Sequence, residues 1–229
     1  MELPTLKSER LYQKISNLLI ERIRSGQFVP GQALPSERDL SKQMGVSRSS
    51  VREALIVLEI SGWVEIRTGN GVFVKEALPS DTPSVGDEAG VVELLKAREV
   101  IEGEIACLAA LNASDDQREE LAGIMEDMQH ETADNIEFHD LDKRFHMLLG
   151  DMTGNPVLRE LTEYLWNKRY SPIFMHFETY YAGRDISEDM ARDHIKIVEA
   201  IQARDGKDAK KAMQAHLRHV YQSLFKAAG

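Results

Sequence analysis

The sequence predicts a mainly α protein: an N-terminal winged helix-turn-helix followed by a C-terminal all-α helical bundle of six to seven helices. Three observations carry this expectation. Two short capped helical segments flank a glycine turn at Gly45, two strand-like segments flank Thr68-Gly69-Asn70-Gly71, and residues beyond 90 show helical periodicity with almost no strand signal.

Residues 9 to 25 read as a first helix, because Leu11, Ile15, Leu18, Leu19 and Ile23 form an apolar stripe that Ser25-Gly26 ends. That stripe should pack behind the helix-turn-helix. Ser36, after Leu34-Pro35, is a good N-cap for a helix containing Glu37 and Arg38; Met44-Gly45 stops it, and Ser47 caps the next. In this second helix Arg48 and Arg52 lie four residues apart on one face with Ser49 beside them, while Val51, Ala54, Leu55 and Leu58 form the opposite, apolar face. A guanidinium fork binds a guanine edge or grips phosphate, and a small hydroxyl lets the helix approach closely, so the polar face reads as a contact for double-stranded DNA.

Trp63-Val64-Glu65-Ile66-Arg67 and Val72-Phe73-Val74-Lys75 read as two strands, with Thr68-Gly69-Asn70-Gly71 as the hairpin tip. Alone, the glycine pair is equally an ordinary tight turn; beside an arginine-bearing helix it reads as a DNA-contacting wing.

A net charge of -10 would argue against nucleic acid if it were evenly spread, but it is not. Residues 1–77 hold 11 Lys and Arg against 9 Asp and Glu, and residues 78–229 hold 17 against 29. A weakly positive module offers few phosphate contacts, so tight binding needs two copies and a homodimer is expected. No apolar run approaches the ~20 residues that span a bilayer, and Met1-Glu2-Leu3-Pro4 lacks a signal-peptide pattern, so the protein is expected in the cytoplasm without a membrane partner. The single Cys107 excludes an intramolecular disulfide, and Ile105, Ala106 and Leu108 around it suggest a buried structural thiol.

Glu76 to Gly90 is rich in Pro, Gly, Ser and acidic residues and reads as a solvated connection. The expected organisation is a DNA-binding domain over 1–77, a linker over 78–90 and an effector-binding and dimerisation domain over 91–229. Candidate helices of the last span 91–111, 115–131, 134–152, 155–170, 171–182, 187–204 and 207–226.

Within this bundle Asp142 and His146, four apart on one helix, flank the core stripe Phe138, Leu141, Phe145, Leu148 and Met152. His194 falls in the stripe Ala191, Ile195, Val198, Ile201, and His216 in Ala209, Met213, Leu217, Val220, Leu224. Buried without partners, such groups cost on the order of several kcal/mol each, so they either bind one another or share a cation. One carboxylate and three imidazoles suit a divalent transition metal such as Zn, Ni or Mn with a position left for a small ligand; a hydrogen-bonded core network without metal is the alternative. His130, His139, His176 and His219 lack a matching pattern and are expected at surface or edge positions.

Arg98 falls close to the apolar side of its helix and needs an anion, either Glu102 at i,i+4 or the carboxylate of a ligand. Asn167, Arg169 and Tyr170 after Trp166 are further candidates for effector contact, although an exposed helix end also explains them.

The stretches Gly31 to Arg38, Val46 to Leu55 and Gly62 to Val74 together resemble the DNA-binding domain of GntR-family bacterial transcription regulators. The C-terminal part, through Asp142-x-x-x-His146, Gly154-Asn155-Pro156, His194 and Ala215-His216-Leu217, resembles the metal-binding FCD-type ligand domain of the FadR subgroup. The resemblance implies DNA contacts from Arg38, Arg48, Ser49, Arg52 and Gly71, and metal ligation by Asp142, His146, His194 and His216. Glu53 to Glu59, Leu95-Lys96-Ala97-Arg98 and Leu165 to Arg169 look most like hexuronate-utilisation repressors, which implies a small carboxylate effector such as a hexuronate or related sugar acid. Two rivals stand beside this reading: a metal-dependent enzyme built on the bundle, which lacks a general-base or nucleophile motif near the ligands, and a regulator whose metal is purely structural.

Overall fold

The computed structural model describes residues 9–79, 89–130, 136–181 and 186–226, so positions 80–88 of the expected linker lie outside the described residues. The chain divides into two compact units, Met1–Val92 and Glu93–Gly229.

The first unit contains α1 (Leu11–Arg24), α2 (Glu37–Met44), α3 (Arg48–Ile60) and a hairpin of β1 (Val64–Arg67) and β2 (Gly71–Val74). The caps form as the sequence predicts. The Asp39 amide donates to Ser36 Oγ at 3.2 Å, the Ser50 amide donates to Ser47 Oγ at 3.1 Å, and Gly45 ends α2 at φ 65°. α1 packs on α3 through Tyr12, Ile15, Leu19, Ile20 and Ile23. Leu11 and Leu18, expected in that stripe, are exposed instead, because the buried face is centred one residue further round the helix, where Tyr12 and Ser16 turn inward.

The bounds of the hairpin also differ from the expected ones. Arg67 pairs with Gly71 and Val64 with Val74, so Gly71 is the first residue of β2 and the tip is Thr68-Gly69-Asn70. Trp63 precedes the strand and is buried, with the Arg24 guanidinium over its ring. Residues 31–34 carry no strand-like alternation, yet the Leu34 amide donates to Val72 at 2.8 Å and the Val74 amide to Gln32 at 2.9 Å. These bonds tie the wing to the chain entering α2.

From residue 91 on, helices joined by short turns make up the described residues: α4 (Val91–Asn112), α5 (Asp115–Gln129), α6 (Ile136–Met152), α7 (Pro156–Asn167), a 3-10 turn (Lys168–Tyr170), α8 (Pro172–Tyr181), α9 (Ile186–Gln202) and α10 (Gly206–Lys226). The expected helix over 155–170 therefore ends at Asn167, and α8 restarts at Pro172, which has no amide hydrogen to continue a helical ladder. α6 packs on α5 and α7, and α9 on α5 and α10, around Ile105, Leu121, Phe145, Ile197, Ile201, Met213 and Leu217. Cys107 is half-buried rather than buried. A Cβ on Gly206 would lie 2.9 Å from its sulfur, so glycine at the start of α10 permits the close approach to α4. Among the described residues no helix is long and apolar enough to cross a membrane.

Candidate metal centre and nucleic-acid interface

Of the five residues expected to face DNA, Arg38 and Arg48 carry exposed side chains, Ser49 is half-buried on the first turn of α3, and Gly71 is exposed in the wing. Arg52 differs. It does not share the exposed face of Arg48: its side chain is 1% accessible, and its Nε and Nη2 donate to the two carboxylate oxygens of Glu37 at 2.8 and 2.7 Å. The i,i+4 spacing is as expected, but the long side chain folds back across the turn to the start of α2. Arg48 Nη2 lies 3.9 Å from the same carboxylate, so Glu37, which the sequence reading passed over, sits between the two arginines.

In the second unit Asp142 and His146 on α6, His194 on α9 and His216 on α10 converge, all four buried. One ring nitrogen from each of the three histidines lies within 4.8 Å of the others. Asp142 Oδ1 is 3.1 Å from His194 Nε2 and 3.4 Å from His146 Nε2. Asp142 Oδ1, His146 Nε2, both nitrogens of His194 and Nδ1 of His216 are nonetheless buried without a hydrogen-bond partner. A closed polar network would satisfy those atoms internally, and each left unmade costs about 1–3 kcal/mol. Ring nitrogens from three histidines and a carboxylate oxygen gathered in one small volume, unpaired with one another, are instead the arrangement that a shared cation satisfies, and one carboxylate with three imidazoles fits a divalent transition ion.

Comparison with known proteins agrees with both units. Residues 11–74 match the model of bacterial regulatory proteins of the gntR family, and residues 93–219 match the FCD domain. The Uxu operon regulator of Haemophilus influenzae is 36% identical over 223 residues, covering 94% of this chain and 82% of that protein. The chain belongs to the GntR family. The Uxu operon transcriptional regulator of Escherichia coli K12 is 33% identical over 228 residues, covering 95% and 88%. Among solved structures E. coli McbR/YncC superposes with a TM-score of 0.53 at 20% identity, covering 97% of this chain and 100% of that one, which supports the fold. The two Uxu relatives are named as operon regulators, and the GntR-family chain described here is a DNA-binding transcription regulator rather than an enzyme.

Arg98, Glu102 and Arg169 lie around the histidines in this GntR-family chain. Arg98 was expected to need an anion, and of its two candidate partners the structure supplies Glu102: Nε donates to Oε1 at 2.5 Å and Nη2 to Oε2 at 3.3 Å, both residues buried. Glu102 itself was overlooked except as that partner, although it also lies 2.8 Å from His146 Nδ1. Arg169 donates to Asp142 Oδ2 at 3.0 Å and to Glu178 at 3.0 Å, with its guanidinium 4.3 Å over Trp166. Asn167 and Tyr170 are exposed, and Tyr170 reaches the cluster only through its hydroxyl, which accepts from Trp166 Nε1 at 3.3 Å. His130, His139 and His219 are exposed and His176 half-buried, as expected, although His219 lies 2.6 Å from the buried carboxylate of Asp193.

Electrostatics separates these groups. Burial alone would raise the Glu102 carboxyl, but Arg98 and His146 outweigh it and hold the pKa at about 2 against an ordinary 4.5. Burial opposes the Asp142 charge too, yet His146, His194 and Arg169 keep that carboxyl well below the usual range. Burial lowers both His146 and His216; Glu102 and Asp142 reverse this for His146, which ends above its ordinary value, whereas His216 beside His194 and His146 stays well below it. A carboxyl whose folded pKa is depressed stabilises the fold above its unfolded pKa, a contribution lost as pH falls from 4.5 towards about 2. The melting temperature of metal-free protein should fall across that interval. Glu102→Gln should flatten the profile, and a profile indifferent to it would contradict the ionised pair.

Proposed function

We propose that the protein is a homodimeric cytoplasmic repressor that binds a palindromic operator and is released by a small carboxylate, a hexuronate or related sugar acid. The observation that carries the effector part is the convergence of unpartnered, buried ligand atoms from Asp142, His146, His194 and His216. Zn, Ni or Mn held there would supply a Lewis-acidic position for the effector's carboxylate inside an otherwise acidic domain. The resemblance to hexuronate-utilisation repressors, and relatives named as Uxu operon regulators, support the choice of a sugar acid.

Arg38, Arg48, Ser49 and the wing at Gly71 are the residues we assign to the DNA surface; Arg52 we assign to fixing Glu37 and the helix-turn-helix angle. Two such modules entering successive major grooves give the specificity and affinity that one weakly positive module lacks. The effector weakens DNA binding only by favouring the conformation that cannot bind DNA. Arg98 is already neutralised by Glu102, so it reaches an effector only by exchanging that partner. Arg169 is likewise engaged by Asp142 and Glu178, and Asn167 and Tyr170 enter only from the exposed end of α7.

The experiment is a thermal-shift screen of uronates, aldonates, hydroxy acids and dicarboxylates with metal-loaded protein, followed by operator binding by fluorescence anisotropy. A hexuronate should raise the melting temperature and release the operator. If no sugar acid moves either quantity, the effector assignment fails. The burial of all four ligands also favours a second reading, a structural ion with the effector bound elsewhere. Effector release of the operator that survives removal of the metal would select that reading.

A further inference from the structure

Glu102 is 2% exposed and lies directly behind His146. Nδ1 of that imidazole is 2.8 Å from Glu102 Oε2, while Nε2 on the opposite side of the ring faces Asp142 Oδ1 at 3.4 Å. A neutral imidazole carries one N–H. With that hydrogen on Nδ1 and donated to Glu102, the lone pair is on Nε2, on the side of Asp142. His194 and His216 lack such support: both nitrogens of the former and Nδ1 of the latter have no hydrogen-bond partner. Glu102 is itself gripped by Arg98, whose guanidinium lies 5.5 Å over Trp166, and the Trp166 ring is 5.2 Å from that of His146. The orientation of one imidazole is thus set from its back by a carboxylate and from its side by an indole.

We propose that Glu102 is a positioning residue of the metal centre, selecting the tautomer and ring orientation of His146 so that Nε2 is presented to a divalent ion, with Arg98 holding Glu102 in place. This assignment rests on the metal reading above. A carboxylate behind an imidazole ligand also makes the ligating nitrogen more basic, so its loss weakens the site without removing a ligand. Arg98 then influences the metal through Glu102 rather than by touching it.

Cobalt(II) is the probe, since its visible absorption reports the ligand set as well as occupancy. To avoid leaving a buried guanidinium without its counter-ion, Glu102 is changed in an Arg98→Met background: Glu102→Gln keeps an oxygen acceptor behind His146, and Glu102→Leu removes it. The Leu variant should bind cobalt about 10–100-fold more weakly than the Gln variant. Its absorption spectrum should also change, while the two melt alike without metal. A general loss of packing would lower both melting temperatures and leave the spectrum of the bound fraction as it was. Equal affinity and an identical spectrum in the Leu variant, the Gln variant and wild type would overturn the assignment alone. Wild-type protein that takes up neither cobalt nor zinc would overturn the metal reading, and this assignment with it. Should the Leu variant not fold, Glu102→Ala in the same background takes its place, since it also removes the acceptor: cobalt binding weaker than in the Gln variant with an altered spectrum supports the role, and binding equal to that of the Gln variant ends it.

Discussion

His194→Ala is expected to abolish metal uptake and to lower the melting temperature of metal-loaded protein by roughly 5–10 °C. His194 is 0% exposed, and neither of its nitrogens has a hydrogen-bond partner. Its Nε2 lies 3.1 Å from Asp142 Oδ1, so the substitution removes the imidazole that brings α9 to the cluster. An ion present at a hundred times its dissociation constant stabilises the fold by about 2.7 kcal/mol, and in a chain of this size each kcal/mol is worth about 2–4 °C. Wild type should carry about one divalent ion per chain after purification and lose it to a chelator. The chelated wild type should then melt near the variant, which separates loss of the ion from loss of packing. The pH dependence has a defined sign. Glu102 and Asp142, outweighing burial, raise the affinity of His146 for a proton, so proton and metal compete for it. Metal uptake should weaken as pH falls, beginning above the pH at which an unperturbed imidazole would titrate, and should release protons. Wild type that is metal-free and takes up no Zn, Ni or Mn would sink the site.

Most of the candidate site was legible because its signals are local. Asp142 and His146 share a helix face by spacing alone, and His194 and His216 interrupt apolar stripes, which is what a buried polar group does to a helical pattern. Glu102 was less legible. It is one of four glutamates on α4, with Glu93, Glu99 and Glu104, and only the packing of α4 against the histidines shows which of them lies behind His146. Its position between Ile101 and Ile105 at i+4 from Arg98 was the available signal, and it pointed to the ion pair without the imidazole. The wing register depended on cross-strand pairing, and the bonds from residues 31–34 to β2 join segments about forty residues apart. Arg52 shows the limit of helix-face arguments. The spacing places its Cα correctly, but a side chain of that length finds its partner in Glu37, on another helix, fifteen residues earlier.

That contact separates Arg48 from Arg52 in a way that two variants measure. Arg48→Ala should leave the fold intact, within about 0.5 kcal/mol, because its side chain is 48% exposed and 3.9 Å from Glu37. Its effect should fall on the operator, at about 1–3 kcal/mol per half-site, or roughly 5–150-fold in affinity. Arg52→Ala should behave in the opposite order. Breaking a fully buried pair costs about 3–5 kcal/mol; Glu37 keeps 16% of its side chain exposed and water recovers part of the penalty, so roughly 2–3 kcal/mol of unfolding free energy should be lost. DNA affinity would then fall through the helix-turn-helix angle rather than through a missing base contact, and Glu37→Ala should reproduce it. Combining the two substitutions removes both charges together, and the double variant should recover part of the lost stability, since the larger cost is an unpaired buried charge. Denaturant unfolding and operator titration on wild type and these four variants decide the matter. If Arg52→Ala unfolds like wild type yet loses operator discrimination at one base pair, Arg52 leaves Glu37 to read DNA, and its structural assignment is wrong.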